Sequence, residues 1–160
     1  MSPSNESLPA TAKVSWGLIA RVAAGSTLTM LAMDAVWLSQ VASGMYREEL
    51  GDLMRSSTRW SAAVAFYIVY VTGIVTLAVL PALERATGRG ELPRWAAAGR
   101  SGALLGFVAY GTFGFTSLAV LEPWTLSLVL IDLAWGIVLT GTAAAVGVLA
   151  AGSSQGLPAP

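Results

Sequence analysis

The sequence predicts an all-α integral membrane protein: an antiparallel bundle of four membrane-spanning helices, with a short interfacial helix between the first two. Two observations predict this class. Of the 160 residues, 55% are hydrophobic and 11% are charged, whereas a soluble domain carries about a quarter charged residues. The apolar residues also gather in four long windows, and the hydrocarbon core of a bilayer needs about 20 such residues per helix.

The four windows are continuous apolar runs, as helices require, and they lack the alternation that is typical of membrane β-strands. They are residues 22–46, 60–83, 101–121 and 123–151, and their only charged residues are Asp34 in the first and Asp132 in the fourth. We expect helices at about residues 16–42, 59–83, 95–121 and 123–151 of a single membrane domain, 13–151. The Ser-, Pro-, Gly- and Ala-rich segments 1–12 and 152–160 are expected to be disordered tails.

The basic residues predict an orientation, because cytoplasmic loops hold an excess of Lys and Arg. Six basic residues fall on the side of the N-terminus and the second loop, and three fall in the first loop. Both termini should therefore be cytoplasmic. Trp16 and Trp95 then fall near the inner surface, and Trp60 and Trp124 near the outer one, as in an interfacial aromatic belt.

Two connections carry local signals. In the first loop, Tyr46, Leu50 and Leu53 recur at i, i+4 and i+7 with charges between them, which predicts a short helix on the outer surface. Gly51 argues against that helix. The third loop is only about residues 122–124, so helices three and four should form a tight hairpin.

One face of the third helix has small side chains. Gly102 and Gly106 form a small-xxx-small pair, which lets another backbone approach closely. The simpler interpretation is packing within one bundle. The alternative is homodimerisation through this face.

Asp34 and Asp132 are the most informative residues, because a charge within the hydrocarbon costs several kcal/mol and normally faces the bundle interior. Each precedes a tryptophan by three residues, Trp37 and Trp135, and so shares a helix face with it. Both carboxylates should lie on the order of 12–14 Å below the outer surface. The other candidates near this depth are Tyr67, Tyr70 and Tyr110, with Tyr46, Arg47, Thr112, Thr116 and Ser117 as secondary ones.

Three functions remain open for this polar layer. It could bind or transport a small polar or cationic ligand, or relay protons, at an outward-facing site. It could belong to a membrane enzyme or accessory subunit in lipid modification, or it could be hydrogen-bonded glue in a structural subunit of a membrane complex. We favour the first, a non-enzymatic role, and the sequence does not identify the ligand.

Composition narrows the chemistry. The chain has no His and no Cys, which excludes Cys/His zinc sites, His-ligated haem and thiol nucleophiles. A metal held by two carboxylates would lack ligands, so no metal or cofactor is expected. With zero net charge and no basic block, nucleic acid is not an expected partner, and the lipid bilayer is.

A set of residues spread over most of the chain carries a resemblance. They are residues 33–38, Tyr46-Arg47, Leu50-Gly51, Trp60, Ala62, Ala63, Phe66, Tyr67, Tyr70, Gly73, Pro81, Ala82, Gly102, Gly106, Ala109, Tyr110, Asp132, Trp135 and Gly136. In this order they resemble a bacterial membrane-protein family catalogued as domain of unknown function 2177. The resemblance implies a four-helix, multi-pass protein of the bacterial cytoplasmic (inner) membrane, and no established activity.

The third helix departs from that family's pattern. Where the family often has tyrosine, aspartate, an apolar residue, threonine and asparagine, this chain has Phe113-Gly114-Phe115-Thr116-Ser117. Gly114 and Ser117 therefore replace the family's aspartate and asparagine. If the family's chemistry uses a third carboxylate at that position, this chain lacks or alters it.

Overall fold

The computed structural model describes residues 15–85 and 91–152. Within these ranges every regular element is helical, and four helices are long and apolar enough to cross a membrane: Trp16–Val41, Trp60–Glu84, Arg94–Val120 and Leu126–Ala150. The predicted all-α membrane class is confirmed. The segments expected to be disordered, 1–12 and all but the first residue of 152–160, lie outside the described residues.

The first span consists of α1, Trp16–Trp37, and a π-helical turn, Leu38–Ala42. Ser15 caps its start, because its hydroxyl accepts a hydrogen bond from the Leu18 N–H at 3.2 Å. The π turn widens the helix directly after Trp37, at the level where the candidate site begins.

A short helix, α2, Ser43–Leu50, follows in the first connection. It ends at Gly51, which has a φ of 48° and begins a 3₁₀ turn, Gly51–Leu53. This left-handed conformation suits glycine and stops a helix. In the sequence, Gly51 argued against a helix in this loop. In the structure a helix does form, and it ends at Gly51.

The second span is divided into α3, Trp60–Ile74, a π-helical turn, Val75–Val79, and α4, Leu80–Glu84. Pro81 explains the division, because it has no N–H and its ring clashes with the carbonyl four residues earlier. The wider turn before it accommodates that conflict.

The last two spans are α5, Arg94–Val120, and α6, Leu126–Ala150. Helix α6 begins three residues after the start expected at 123. Thr125 caps it by accepting a hydrogen bond from the Leu128 N–H at 3.3 Å.

The small face of α5 packs against α6. A methyl group at Gly102 would lie 2.6 Å from the Thr140 carbonyl oxygen, and one at Gly106 would overlap the backbone of Gly136. Further along, Gly114 faces Val129, so the contacts advance in opposite directions on the two helices. Since α6 fills this face, the structure gives no support to homodimerisation through Gly102 and Gly106.

The larger hydrophobic cluster lies towards one end of the bundle, and a smaller one, formed by Trp124, Leu128 and Val129, lies towards the other. The fully buried members of the larger cluster include Leu18, Ile74, Val79 and Leu139, which belong to the first half of α1, the second span after Val71 and the second half of α6. Before Val71, α3 buries no residue. The first half of α3 is therefore less buried than its second half, and two cavities lie beside it.

Candidate functional site

Two adjoining cavities open beside the first half of α3. The smaller has a volume of about 300 Å³ and both intramembrane aspartates line it. Its walls are Asp34, Trp37, Leu38, Tyr46, Ala63, Phe66, Tyr67, Tyr110, Asp132 and Trp135. The larger measures about 450 Å³ and is lined by Tyr46, Phe66, Tyr70, Ala109, Tyr110, Phe113 and Asp132.

Asp34 is held by hydrogen bonds from two other helices. The Tyr67 hydroxyl of α3 donates to its Oδ2 at 2.7 Å, and the Trp135 indole Nε1 of α6 donates to its Oδ1 at 3.4 Å. The side chain is 8% exposed. Each carboxylate oxygen thus has a donor, and one acid joins three helices.

The tryptophans of the two Asp-x-x-Trp motifs are in contact. The rings of Trp37 and Trp135 stack with their centroids 4.5 Å apart and their planes 5° apart. The three-residue spacing puts each tryptophan on the same helix face as its aspartate. The stack therefore brings the two aspartate-bearing faces of α1 and α6 together.

Asp132 has fewer polar neighbours. It is also 8% exposed, and its close polar neighbour is the Tyr46 hydroxyl of α2. Burial and the adjacent Asp132 carboxylate raise the pKa of Tyr46 above its ordinary value, so this phenol stays protonated and can donate. No basic side chain is among the described residues that line either cavity.

Aromatic rings form the rest of the walls. Phe66 stacks on Tyr70 with centroids 5.3 Å apart, and Tyr70 meets Tyr110 edge to face at 6.1 Å. The Tyr70 hydroxyl is fixed by Thr140, whose Oγ1 lies 2.8 Å away. The cavities therefore combine two carboxyl groups with aromatic faces, and both ionised carboxylates and aromatic faces attract cations.

Trp124 supports two residues that line the larger cavity, Tyr46 and Phe113. It is 8% exposed and packs against Tyr46 and Phe113, with centroids 6.1 and 5.4 Å away. Trp124 lies in the connection between α5 and α6, where α2 covers it. Trp16 and Trp60, by contrast, are 85% and 74% exposed.

The structure brings the seven principal candidates together. Asp34, Trp37, Tyr67, Tyr70, Tyr110, Asp132 and Trp135 all line one of the two cavities, as does the secondary candidate Tyr46.

Four secondary candidates line neither cavity. Arg47, Thr112 and Thr116 are exposed, and Ser117 is buried outside both cavities. The Thr116 hydroxyl donates to backbone carbonyls of its own helix, including that of Phe113 at 3.1 Å.

Sequence reasoning also missed several site residues. Phe66, Phe113 and Ala109 line the larger cavity, and Thr140 fixes Tyr70. The aromatic residues gave no signal, since an aromatic ring in an apolar window can equally well face lipid. Thr140 was detectable as a hydroxyl within the fourth window.

The family described as predicted membrane protein (DUF2177) matches residues 19–149, which include every residue that lines the cavities. The chain belongs to the DUF2177 family. The resemblance found in the sequence is thereby confirmed. No curated protein and no solved structure matches the chain significantly.

Gly114 and Ser117, the two positions at which the sequence was expected to depart from the family's pattern, lie outside the cavities. Gly114 packs on α6, where a methyl group would lie 2.9 Å from the Val129 Cγ1 atom, and Ser117 lies one turn further along α5. Neither residue lines the cavities.

Proposed function

We propose that the protein binds a small organic cation in the cavity between Asp34 and Asp132, as a binding or transport module without catalytic activity. The observation that carries the proposal is that both carboxylates line one cavity without a basic side chain among its walls. Withdrawing an ionised carboxylate from water costs several kcal/mol unless the group takes up a proton or a counter-charge accompanies it. A bound cation supplies that counter-charge.

The aromatic walls favour an organic cation over a metal ion. Hard metal ions take six or more oxygen ligands, whereas Trp37, Tyr110 and Phe66 offer ring faces and edges. An ammonium group is attracted to aromatic rings by about 0.5–2 kcal/mol each, and quaternary ammonium ligands are recognised in this way. A cavity of about 300 Å³ has space for such a group.

The two aspartates are proposed to have different roles. Asp34 uses both oxygens to accept hydrogen bonds from Tyr67 and Trp135, which supports a structural role. Asp132 has Tyr46 as its close polar neighbour and lines both cavities, so it is the carboxylate available to a ligand. Asp132 is therefore the proposed counter-ion of the cation.

Isothermal titration of the detergent-purified protein with charged ligands and their neutral isosteres tests this proposal. Choline is compared with 3,3-dimethylbutan-1-ol, which has the same shape without the charge. We expect choline to bind at least about tenfold more tightly, because attraction to a desolvated carboxylate exceeds about 1.4 kcal/mol. Equal affinities, or no binding of choline, would count against a cation site.

A second measurement separates binding from transport. The protein is reconstituted in proteoliposomes, and uptake of labelled choline is followed with and without an imposed proton gradient. Transport predicts uptake that disappears in Asp132→Asn. Choline binding without any uptake would restrict the function to binding.

A further inference from the structure

A second pair of cavities lies at the other end of the bundle, where α4 ends and α5 begins. Their volumes are about 400 and 410 Å³, and both are lined by Arg85, Leu92, Ala97 and Arg100. Neither has a lining residue in common with the aspartate cavities. This Arg85–Arg100 pocket is independent of the proposed cation site.

The pocket is rich in arginine, and a hydrogen bond connects the two helices that form it. Arg94 lines its first cavity together with Arg85 and Arg100, and Glu91 is the acidic residue among the described walls. The Arg94 Nε donates to the Arg85 carbonyl oxygen at 3.2 Å, which ties the start of α5 to the end of α4. Three arginines, Arg85, Arg94 and Arg100, therefore line the cavity where α4 ends and α5 begins.

The side chains along α5 change from charged to apolar with depth. Arg94, Ala97, Ser101 and Leu104 follow at i, i+3, i+7 and i+10, so they share one helix face. At about 1.5 Å per residue, Leu104 lies roughly 15 Å deeper in the bundle than Arg94. Leu104 is 63% exposed at the inner end of the second cavity.

We propose that this pocket binds an anionic phospholipid. Arg85 and Arg100 hold the headgroup phosphate, since guanidinium groups bind phosphate oxygens in pairs. An acyl chain then runs along the exposed Leu104. Basic pockets between membrane helices are suited to phospholipid headgroups, and the apolar wall below the arginines distinguishes a lipid from free phosphate.

Native mass spectrometry of the purified protein tests this assignment. The wild type is mixed with phosphatidylglycerol or phosphatidylcholine carrying the same acyl chains. We expect phosphatidylglycerol to be retained preferentially, and Arg85→Gln/Arg100→Gln to weaken that retention about tenfold or more. Arg55→Gln/Arg59→Gln removes two charges from the first loop instead and should retain the lipid as the wild type does.

A charge-preserving variant and a competitor serve as further controls. Arg85→Lys/Arg100→Lys preserves the charge and should retain more lipid than the glutamine variant, which covers the case in which that variant does not fold. Inorganic phosphate at millimolar concentration should not displace the lipid. Equal retention of both lipids by the wild type, equal loss in the first-loop variant, or displacement by phosphate would overturn the assignment.

Discussion

Asp34 illustrates how a charged residue can be accommodated inside a membrane helix. Its partners are Tyr67 and Trp135, which lie 33 and 101 residues away in the sequence. A carboxylate with a donor on each oxygen retains much of the hydrogen bonding that it would have in water. Its removal should therefore affect the bundle more than the removal of a carboxylate with fewer partners.

The first prediction concerns stability. Asp34→Asn replaces one acceptor oxygen by an NH₂ group, so that either Tyr67 must turn its hydroxyl or the Trp135 N–H faces another donor. We expect the free energy of unfolding to fall by about 1–2 kcal/mol. Thermal unfolding in detergent measures it.

Asp132→Asn is the matched control for this experiment. It makes the same chemical change in an equally buried aspartate with fewer hydrogen-bond donors, and it should alter the unfolding temperature less. If the control lost as much stability as Asp34→Asn, the two aspartates would not have separate roles.

Rotation about a helix axis separates the candidates that line the cavities from those that do not. Depth alone placed Tyr110 and Thr112 in the same layer. Two residues correspond to a rotation of about 200° around an α-helix, so Thr112 points away when Tyr110 faces the cavity. Depth follows from the position in a window, but rotation depends on which helices are neighbours, and a single sequence does not specify that.

At the scale of elements, the tightest contact is between α5 and α6. Gly106 lies directly against the backbone of Gly136, and Gly136 in turn lies beneath the Tyr110 ring. The close approach keeps Tyr110 over α6 and so positions one wall of the cavities. Glycine is required here by the space available and not by its backbone conformation.

The second prediction follows from this contact. Gly106→Ala would insert a methyl group into the Gly136 backbone, so the helices must separate. We expect a loss of about 1–3 kcal/mol in the free energy of unfolding. Gly73→Ala is the control, because its nearest neighbour, Leu105 Cδ2, would lie 3.9 Å from the new methyl group.

Thermal unfolding of the two variants checks the prediction. Gly73→Ala should be as stable as the wild type or slightly more stable, since alanine favours helix. Similar losses in both variants would contradict the account of the α5–α6 contact.

The helices themselves could be predicted well from the sequence, because a bilayer demands long apolar runs. Their ends were less predictable. The start of α6 is set by the Thr125 cap, and the division of the second span is set by Pro81. The packing of α2 over Trp124 was not predictable, since it depends on residues far apart in the chain.

At the scale of the whole molecule, charge and cavities divide the bundle into two ends. The aspartate cavities lie near α2 and the start of α3, and the arginine pocket lies between α4 and α5. The excess of basic residues predicts that the arginine end is cytoplasmic. The proposed cation site would then open to the outside.

The third prediction tests this orientation. The chain has no cysteine, so single cysteines can be introduced at Ser57 in the first connection and at Ser2 in the N-terminal segment. In intact cells, a membrane-impermeant maleimide should label Ser57→Cys but not Ser2→Cys. Labelling of both after the cells are opened is the control. The reverse pattern would invert the proposed topology.

The central claim is that Asp132 is the counter-ion of a bound cation. Its most direct test is the dissociation constant of tetramethylammonium, measured by isothermal titration for the wild type and Asp132→Asn under identical conditions. We predict binding by the wild type that is weakened about tenfold or more in the variant, because the charge is lost while the shape is kept. Equal affinity in the two proteins, or no binding by the wild type, would contradict the claim.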